Sequence, residues 1–177
     1  MIKGNKKGQI ILASDGWHFG KKYFSIRCFA EYENNYLSDI AIVSIKEFGS
    51  NNEINMQFKL NELLQLANGF LEIDKLFQNG YKQKRKGFFK NTNPNGNNPS
   101  TLKELNLTFA YNEESKQTTC YINLADSNNK INCGLNKYEF KAMNEAIINL
   151  YRESKAAFYS IQREFLNTIP ILGNVNA

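Results

Sequence analysis

Rings, amides and cations alternate along several short segments of this sequence, and these residue types can contact the bases and phosphates of an unpaired nucleic-acid strand. Within residues 22–32, one set of alternate positions holds Tyr23, Ser25, Arg27, Phe29 and Glu31. A ring can stack on any base, while Lys, Arg and Asn side chains reach phosphates and base edges. The pattern is equally typical of a solvated sheet face whose rings pair across strands, so both interpretations stay open at this point.

The same mixture of residue types recurs in three later segments. Asn55, Gln57 and Lys59 alternate in residues 53–60. Residues 117–125 contribute Thr119, Tyr121 and Asn123, with Lys116 at their edge, and the next segment contributes Lys130 and Asn132. From these four segments the residues predicted to bind are Tyr23, Arg27, Phe29, Gln57, Lys59, Tyr121, Asn123 and Lys130.

A basic segment lies near the middle of the chain. Residues 81–90 read YKQKRKGFFK, and the Asn-rich stretch 91–101 that follows has little with which to form a core. Cations interleaved with rings can track a phosphate backbone, which adds Lys82, Lys84, Arg85 and Lys86 to the predicted binding residues. The alternative is an ordinary solvated loop, the more common role of a charge run.

Residues that could support catalysis are few and scattered. Metal-dependent phosphodiester cleavage needs carboxylates that converge on a cation. The acidic residues Asp15, Glu31, Asp39, Glu47 and Asp126 instead fall on different segments without a recurring spacing. The single histidine, His18, lies in DGWHFG, which we interpret as a structural turn, and no Walker loop or GxGxxG is present. We therefore predict a protein that is not an enzyme and has no metal site or cofactor.

Composition narrows the class of protein. The chain has 177 residues, 42% of them hydrophobic, and a formal net charge of +5, with a mean hydropathy of −0.51. No segment approaches the ~20 apolar residues that a spanning helix needs, and the N-terminal residues MIKGNKKGQ lack the apolar region of a secretory signal. The three cysteines have no CxxC spacing. We expect a cytoplasmic protein in a reducing compartment, and the positive charge is compatible with a polyanionic partner.

Periodicity predicts four strands and a helix in the first half. The strands cover 8–14, 22–32, 36–47 and 53–60, with a turn over DGWHFGKK after the first. From Asn61 the apolar residues change to helical spacing, and this helix ends near Gly80, a plausible C-cap.

The second half repeats this order. Strands are predicted at 102–111, 117–125 and 130–135, and a helix then runs until Pro170, starting at a capping box formed by Asn136 and Glu139. We therefore predict an α+β fold in which two sheets pack on two helices. It is a single domain of two pseudo-repeats, 8–80 and 102–167, joined by the basic linker 81–101.

This order of elements resembles the Whirly family of single-stranded DNA-binding proteins and, more distantly, the PUR repeat proteins. The similarity spans about residues 6–160, and its best local matches are FKLNELLQL (58–66) and LNKYEFKAM (135–143). KKGQIIL (6–12) loosely matches a Lys-Gly-Lys-Ala-Ala-Leu segment of the family, with Lys6, Lys7 and Gly8 as counterparts, but Ile10 and Ile11 replace the alanines. The resemblance implies largely sequence-independent binding of single-stranded DNA, or of RNA as in PUR-like folds, and a tetramer. The alternatives are a phage or plasmid adaptor protein that binds other proteins and a metal-dependent nuclease.

The second predicted helix is longer than a small sheet can cover. At 1.5 Å per residue, residues 137–167 would span on the order of 45 Å. Its far half keeps an apolar stripe of Ala157, Phe158, Ile161 and Phe165, and IPIL (169–172) follows. We expect this stripe to be buried against a symmetry mate, giving a dimer or tetramer. The alternative is that it folds back over the sheet of its own subunit.

Overall fold

A computed structural model describes residues 8–33, 36–80, 85–92 and 102–168, and within 85–92 it describes the backbone and the Lys90 side chain. These residues form eight strands and two helices. The strands are β1 (Gly8–Phe19), β2 (Lys22–Glu33), β3 (Tyr36–Glu47), β4 (Glu53–Lys59), β5 (Arg85–Thr92), β6 (Lys103–Asn112), β7 (Gln117–Ala125) and β8 (Lys130–Leu135). The helices are α1 (Glu62–Gln78) and α2 (Lys137–Thr168).

The strands form two antiparallel sheets that follow chain order. The first sheet is β1-β2-β3-β4 and the second is β5-β6-β7-β8. Each sheet is followed directly by a helix, α1 after β4 and α2 after β8. The predicted α+β class, with two sheets packed on two helices, is confirmed.

Alternation along the strands separates a core face from an outer face. Phe24, Ile26 and Cys28 are fully buried, as predicted for the apolar face of residues 22–32. They belong to one hydrophobic cluster that includes residues of both sheets and both helices. The helices pack against each other, and the Asn144 side chain on α2 donates a hydrogen bond of 2.7 Å to the Ala67 carbonyl on α1. The outer faces of both sheets therefore remain outside this core.

The first strand is longer than predicted. Its pairing with β2 continues through His18 opposite Tyr23 to Phe19 opposite Lys22, across most of the segment expected to be a turn. The reversal takes place at Gly20, whose φ of +61° favours glycine. His18 is therefore a strand residue and not part of a Gly-bounded turn.

The basic linker also contains structure that was not predicted. Residues 85–92 form β5, which pairs antiparallel with β6 and has a register shift between Lys86 and Phe88. Lys90 points to the core side, where its Nζ lies 4.7 Å from the centre of the Phe58 ring and 2.5 Å from Glu62 Oε1. A cation at an inward position and a bulge both interrupt the apolar alternation on which strand prediction depends.

The far half of α2 is covered by its own chain. The apolar residues Phe158 and Phe165 are only 7% and 9% exposed. The helix packs against β1, and Lys155 Nζ lies 2.5 Å from Asp39 Oδ2 on β3. The expectation that this stripe needs a symmetry mate for its burial is therefore wrong, because the first sheet supplies the contact surface. IPIL lies outside the described residues.

Candidate functional site

The register of the first sheet places the predicted residues of the first half on its outer face. Arg27 lies beside Ile42, which lies beside Gln57. In the next row, Phe29 lies beside Ile40, which lies beside Lys59. Tyr23 shares this face at the end of β2. Alternation along the strands therefore places these side chains on the same face of the sheet.

Tyr23 belongs to a group of three rings, which we call the Tyr23 cluster. Its ring centre lies 4.8 Å from that of His18, and His18 in turn stacks on Phe48 at 5.5 Å with an interplanar angle of 11°. Below the Tyr23 ring lies Gly16, where an added Cβ would be only 2.0 Å from Tyr23 Oη. Glycine at this position therefore allows the ring to lie close to the backbone. Sequence reasoning missed His18 and Phe48, although extending the strand alternation to residue 18 would have found His18.

A pocket of about 510 Å³ opens on this face next to the Tyr23 cluster. Its walls carry both signs of charge and include Asp15, Tyr23, Arg27, Ser44, Lys46 and Glu53. The Asp15 Oδ1 accepts a hydrogen bond of 2.7 Å from the Gly16 amide. The pocket lies within the ~300–1,000 Å³ range of small-ligand sites, and it combines a ring, two cations and the carboxylate of Glu53.

Phe29 lies on the predicted face but is not available for stacking. It is 8% exposed, and its neighbour Ile40 is 7% exposed. Two large apolar side chains in one cross-strand row shield each other from water, and Ile11 extends the same row on β1. The prediction that Phe29 contacts bases is therefore wrong.

The outer face of the second sheet carries a second pocket, of about 740 Å³. Tyr121 is 37% exposed and lies over Gly134, where an added Cβ would be 3.3 Å from its ring. At the start of α2, the Lys137 Nζ lies 5.3 Å from the Phe77 ring centre and 4.8 Å from that of Tyr138. Tyr138 is 72% exposed. The pocket therefore presents two accessible rings beside a cation, and sequence reasoning had identified only Tyr121.

The other two predicted residues of the second sheet differ in accessibility. Asn123 is 9% exposed, and its amide nitrogen donates to Asn106 Oδ1 at 3.0 Å and to Thr108 Oγ1 at 3.2 Å. These contacts commit its donor group to the sheet, so the prediction that it contacts a ligand is wrong for that group. Lys130 is exposed at the beginning of β8, as its predicted role requires.

The basic segment is described only in part. Arg85 and Lys86 lie in β5, and not in a free loop as predicted, because this stretch pairs with β6. Lys82 and Lys84 lie outside the described residues. The role of these four cations stays a prediction.

The described residues show no arrangement for metal or thiol chemistry. No three His, Cys, Asp or Glu side chains in the described part of the chain lie close enough to share a metal ion. Burial raises the pKa of Cys28 to about 11, of Cys120 to about 12 and of Cys133 to about 11. Thiols with such pKa values are poor nucleophiles at neutral pH. Within the described residues, no helix is both long and apolar enough to cross a membrane.

Comparison with known proteins returns solved structures of low sequence identity and no sequence match. No protein-family model matches the chain, and no curated protein matches it. The plant transcriptional regulator PBF-2 is 10% identical, with 98% of this chain and 92% of that one covered and a TM-score of 0.42. WHY3 from Arabidopsis thaliana is 10% identical, with 90% of this chain and 95% of that one covered and a TM-score of 0.46. WHY1 from the same plant is 10% identical, with 96% of this chain and 99% of that one covered and a TM-score of 0.44. These three solved structures are of Whirly proteins.

Proposed function

We propose that this protein binds single-stranded nucleic acid, DNA in preference to RNA, on the outer faces of its two sheets. The observation that carries the proposal is the Tyr23 cluster beside a pocket with Arg27 and Lys46 in its walls. Unpaired bases need flat apolar surfaces on which to stack, and the phosphates between them need cations nearby. Both requirements are met at one place on the first sheet.

Binding by this surface is largely independent of sequence. Every base has a π-face, and stacking on an aromatic ring contributes roughly 1–3 kcal/mol per base. Arg27, Lys59 and Lys130 supply cations for the backbone, whose charge is the same for all sequences. The second pocket, with Tyr121 and Tyr138, offers a further stacking site, and a strand that reaches both pockets gains avidity.

The direct test is a titration of labelled oligo(dT) followed by fluorescence anisotropy over a range of salt concentrations. We expect binding that weakens as salt rises, because bound cations displace counterions from the strand. Single-stranded RNA should bind less tightly than the DNA, and duplex DNA should bind least. Absence of oligo(dT) binding at low salt would contradict the proposal and favour the alternative of a protein-binding adaptor.

The same titration tests the basic segment. Replacing Lys84, Arg85 and Lys86 together by Gln should lower the salt slope by up to about two units, since each phosphate contact on a single strand contributes ~0.7. A control with three Gln replacements at the exposed residues Lys75, Lys141 and Arg163 changes the net charge equally on the helices. If both triple variants lower the slope alike, the segment acts only through overall charge.

A further inference from the structure

Two buried polar atoms lie without a partner on the outer face of the first sheet. Ser44 is 3% exposed, yet its hydroxyl has no hydrogen-bond partner among the described residues. The side-chain oxygen of Asn55 is also buried and without a partner there. Asn55 lies directly beside Ser44 in the register between β3 and β4. Such atoms are rare in native proteins, because desolvation without a hydrogen bond is destabilising.

The Ser44 hydroxyl lies at the pocket next to the Tyr23 cluster, and Asn55 is its neighbour on β4. Ser44 lines that pocket, and on its own face it is flanked by Ser25 across the strand pair and by Lys46 two residues along β3. Arg27 and Lys46 also line the pocket, and their long side chains have many rotamers, so they can shift to admit a ligand and still donate to it. A polar group of that ligand would then supply the hydrogen bond that the Ser44 hydroxyl lacks.

The pocket's charges indicate which base would fit. Glu53 offers carboxylate oxygens, which accept hydrogen bonds, and Arg27 and Lys46 offer N–H groups, which donate them. Guanine presents two adjacent donors on its Watson–Crick edge and two acceptors, O6 and N7, on its major-groove edge. The other bases lack an adjacent donor pair for a carboxylate. A pocket with separate acceptors and donors therefore matches guanine better than adenine, cytosine or thymine.

We propose that this pocket binds a single guanine in a strand of otherwise arbitrary sequence, with Tyr23 stacking on the base and Ser44 and Glu53 forming hydrogen bonds to its edge. The inference rests on the proposed function, since the base arrives as part of a bound single strand. It adds one position of sequence preference to a surface that is elsewhere indifferent to sequence. The Ser44 hydroxyl then has a function in binding, although it has no hydrogen-bond partner in the free protein.

The test compares four labelled oligonucleotides of about eight nucleotides, a length within the site size of one small binding domain. Three are oligo(dT) with one central residue replaced by G, A or C, and the fourth is oligo(dT) itself. We expect the wild-type protein to bind the G-containing strand about tenfold more tightly than the other three. Ser44→Ala and Glu53→Gln should each remove most of this preference, measured for each variant as the ratio of its affinities for the G-containing strand and for oligo(dT).

Ser38→Ala is the matched control, because Ser38 also lies on the outer face of β3 but does not line the pocket. It should keep the full preference for guanine. Equal binding of all four strands, or a preference for another base, would overturn the inference while the proposed function stands. Failure to bind any of the strands would instead overturn the proposed function itself.

Stability of the free protein provides a second readout. If the Ser44 hydroxyl has no partner before binding, Ser44→Ala should unfold at the same temperature as the wild type or higher. A clear loss of thermal stability would show that the hydroxyl already makes an internal hydrogen bond, and that result would also overturn the inference.

Discussion

Neighbouring aromatic residues on one strand have different roles, and their burial distinguishes them. Phe24 is fully buried in the core and Phe29 is 8% exposed on the outer face. Tyr23 is half-buried, so its ring is accessible beside the pocket. Residue type and alternation alone predicted Phe29 to act like Tyr23, and exposure separates the two.

Alanine substitutions at these three positions should give two distinct results. Tyr23→Ala should weaken single-strand binding by roughly 1–3 kcal/mol and leave the fold intact, because it removes a stacking surface. Phe24→Ala should lower the free energy of unfolding by roughly 3–5 kcal/mol through loss of a buried ring. Phe29→Ala should resemble Phe24→Ala in direction. Urea unfolding and anisotropy titration of each variant separate the outcomes, and a stable but weakly binding Phe29→Ala would contradict the assignment.

The thiols should behave as buried apolar groups. Burial raises the pKa of Cys28 and Cys133 to about 11 and the pKa of Cys120 to about 12. Little thiolate is therefore present at neutral pH. We expect a thiol reagent such as DTNB to react slowly with native protein and fully after addition of denaturant. Rapid reaction of any thiol in the native state would show that its strand opens locally.

At the scale of elements, the two strand-to-helix joints look alike in sequence but differ in chemistry. At α2 the Asn136 side chain accepts from the amides of Tyr138 at 2.9 Å and Glu139 at 3.1 Å. Glu139 Oε2 accepts from the Asn136 amide at 2.7 Å, which confirms the capping box. At α1, Asn61 makes no side-chain cap hydrogen bond, and Glu62 Oε2 instead accepts from the Lys59 amide at 2.7 Å.

The two asparagines should therefore respond differently to the same substitution. Asn136→Ala should destabilise the protein by roughly 0.5–2 kcal/mol, because it leaves two helix-start amides without their acceptor. Asn61→Ala serves as the matched control and should cost little. Thermal unfolding of both variants measures the difference, and equal destabilisation would mean that Asn61 also caps its helix.

Glu62 should make the first joint sensitive to acid. Its partial burial acts to raise its pKa, but the hydrogen bonds from Lys90 and the Lys59 amide, together with the charges of both lysines, lower the pKa overall. A lowered folded-state pKa contributes stability above the usual carboxyl pKa, and that stability is lost as the pH falls through the folded-state value. Glu62→Gln should be less stable than the wild type near neutral pH, and the gap should close on acidification. A gap independent of pH would exclude a contribution from the carboxylate charge.

At the scale of the whole molecule, one core joins both halves of the chain, and α2 is long enough to reach the first sheet from the second. Phe158 and Phe165, in the far half of the helix, are buried in this contact. On the same half, Tyr159 and Leu166 remain 57% and 60% exposed. Any contact between subunits along this helix would therefore use these exposed residues, and a homo-oligomer stays a prediction.

Substitution of the buried and exposed pairs tests this division. Phe158→Glu with Phe165→Glu should destabilise the fold, because it places two charges in a packed apolar contact. Tyr159→Glu with Leu166→Glu should leave thermal stability nearly unchanged and reduce the mass measured by light scattering if the wild type is an oligomer. If the Phe158/Phe165 double variant instead folds and has a lower mass than the wild type, these two residues belong to a subunit interface.

The sequence by itself determined the features that depend on near neighbours along the chain. Alternation separated core residues such as Phe24 from outer residues such as Tyr23 and Arg27, because successive side chains of a strand point to opposite faces. The capping box at Asn136 was readable because its hydrogen bonds join residues within three positions. These local rules were enough to predict most strands, both helices and one face of the candidate site.

Tertiary structure decided the features that depend on residues far apart in sequence. The burial of Phe29 depends on Ile40 across the sheet, and the Tyr23 cluster depends on Phe48 from the end of the next strand. Lys90 became an inward-facing strand residue because Glu62 and the Phe58 ring, some thirty residues earlier, compensate its charge. The apolar stripe of α2, with Phe158 and Phe165, packs against the first sheet of its own chain. The spacing of apolar residues along the chain carries no information about partners that are distant in sequence. Only the tertiary structure shows which residues these partners are.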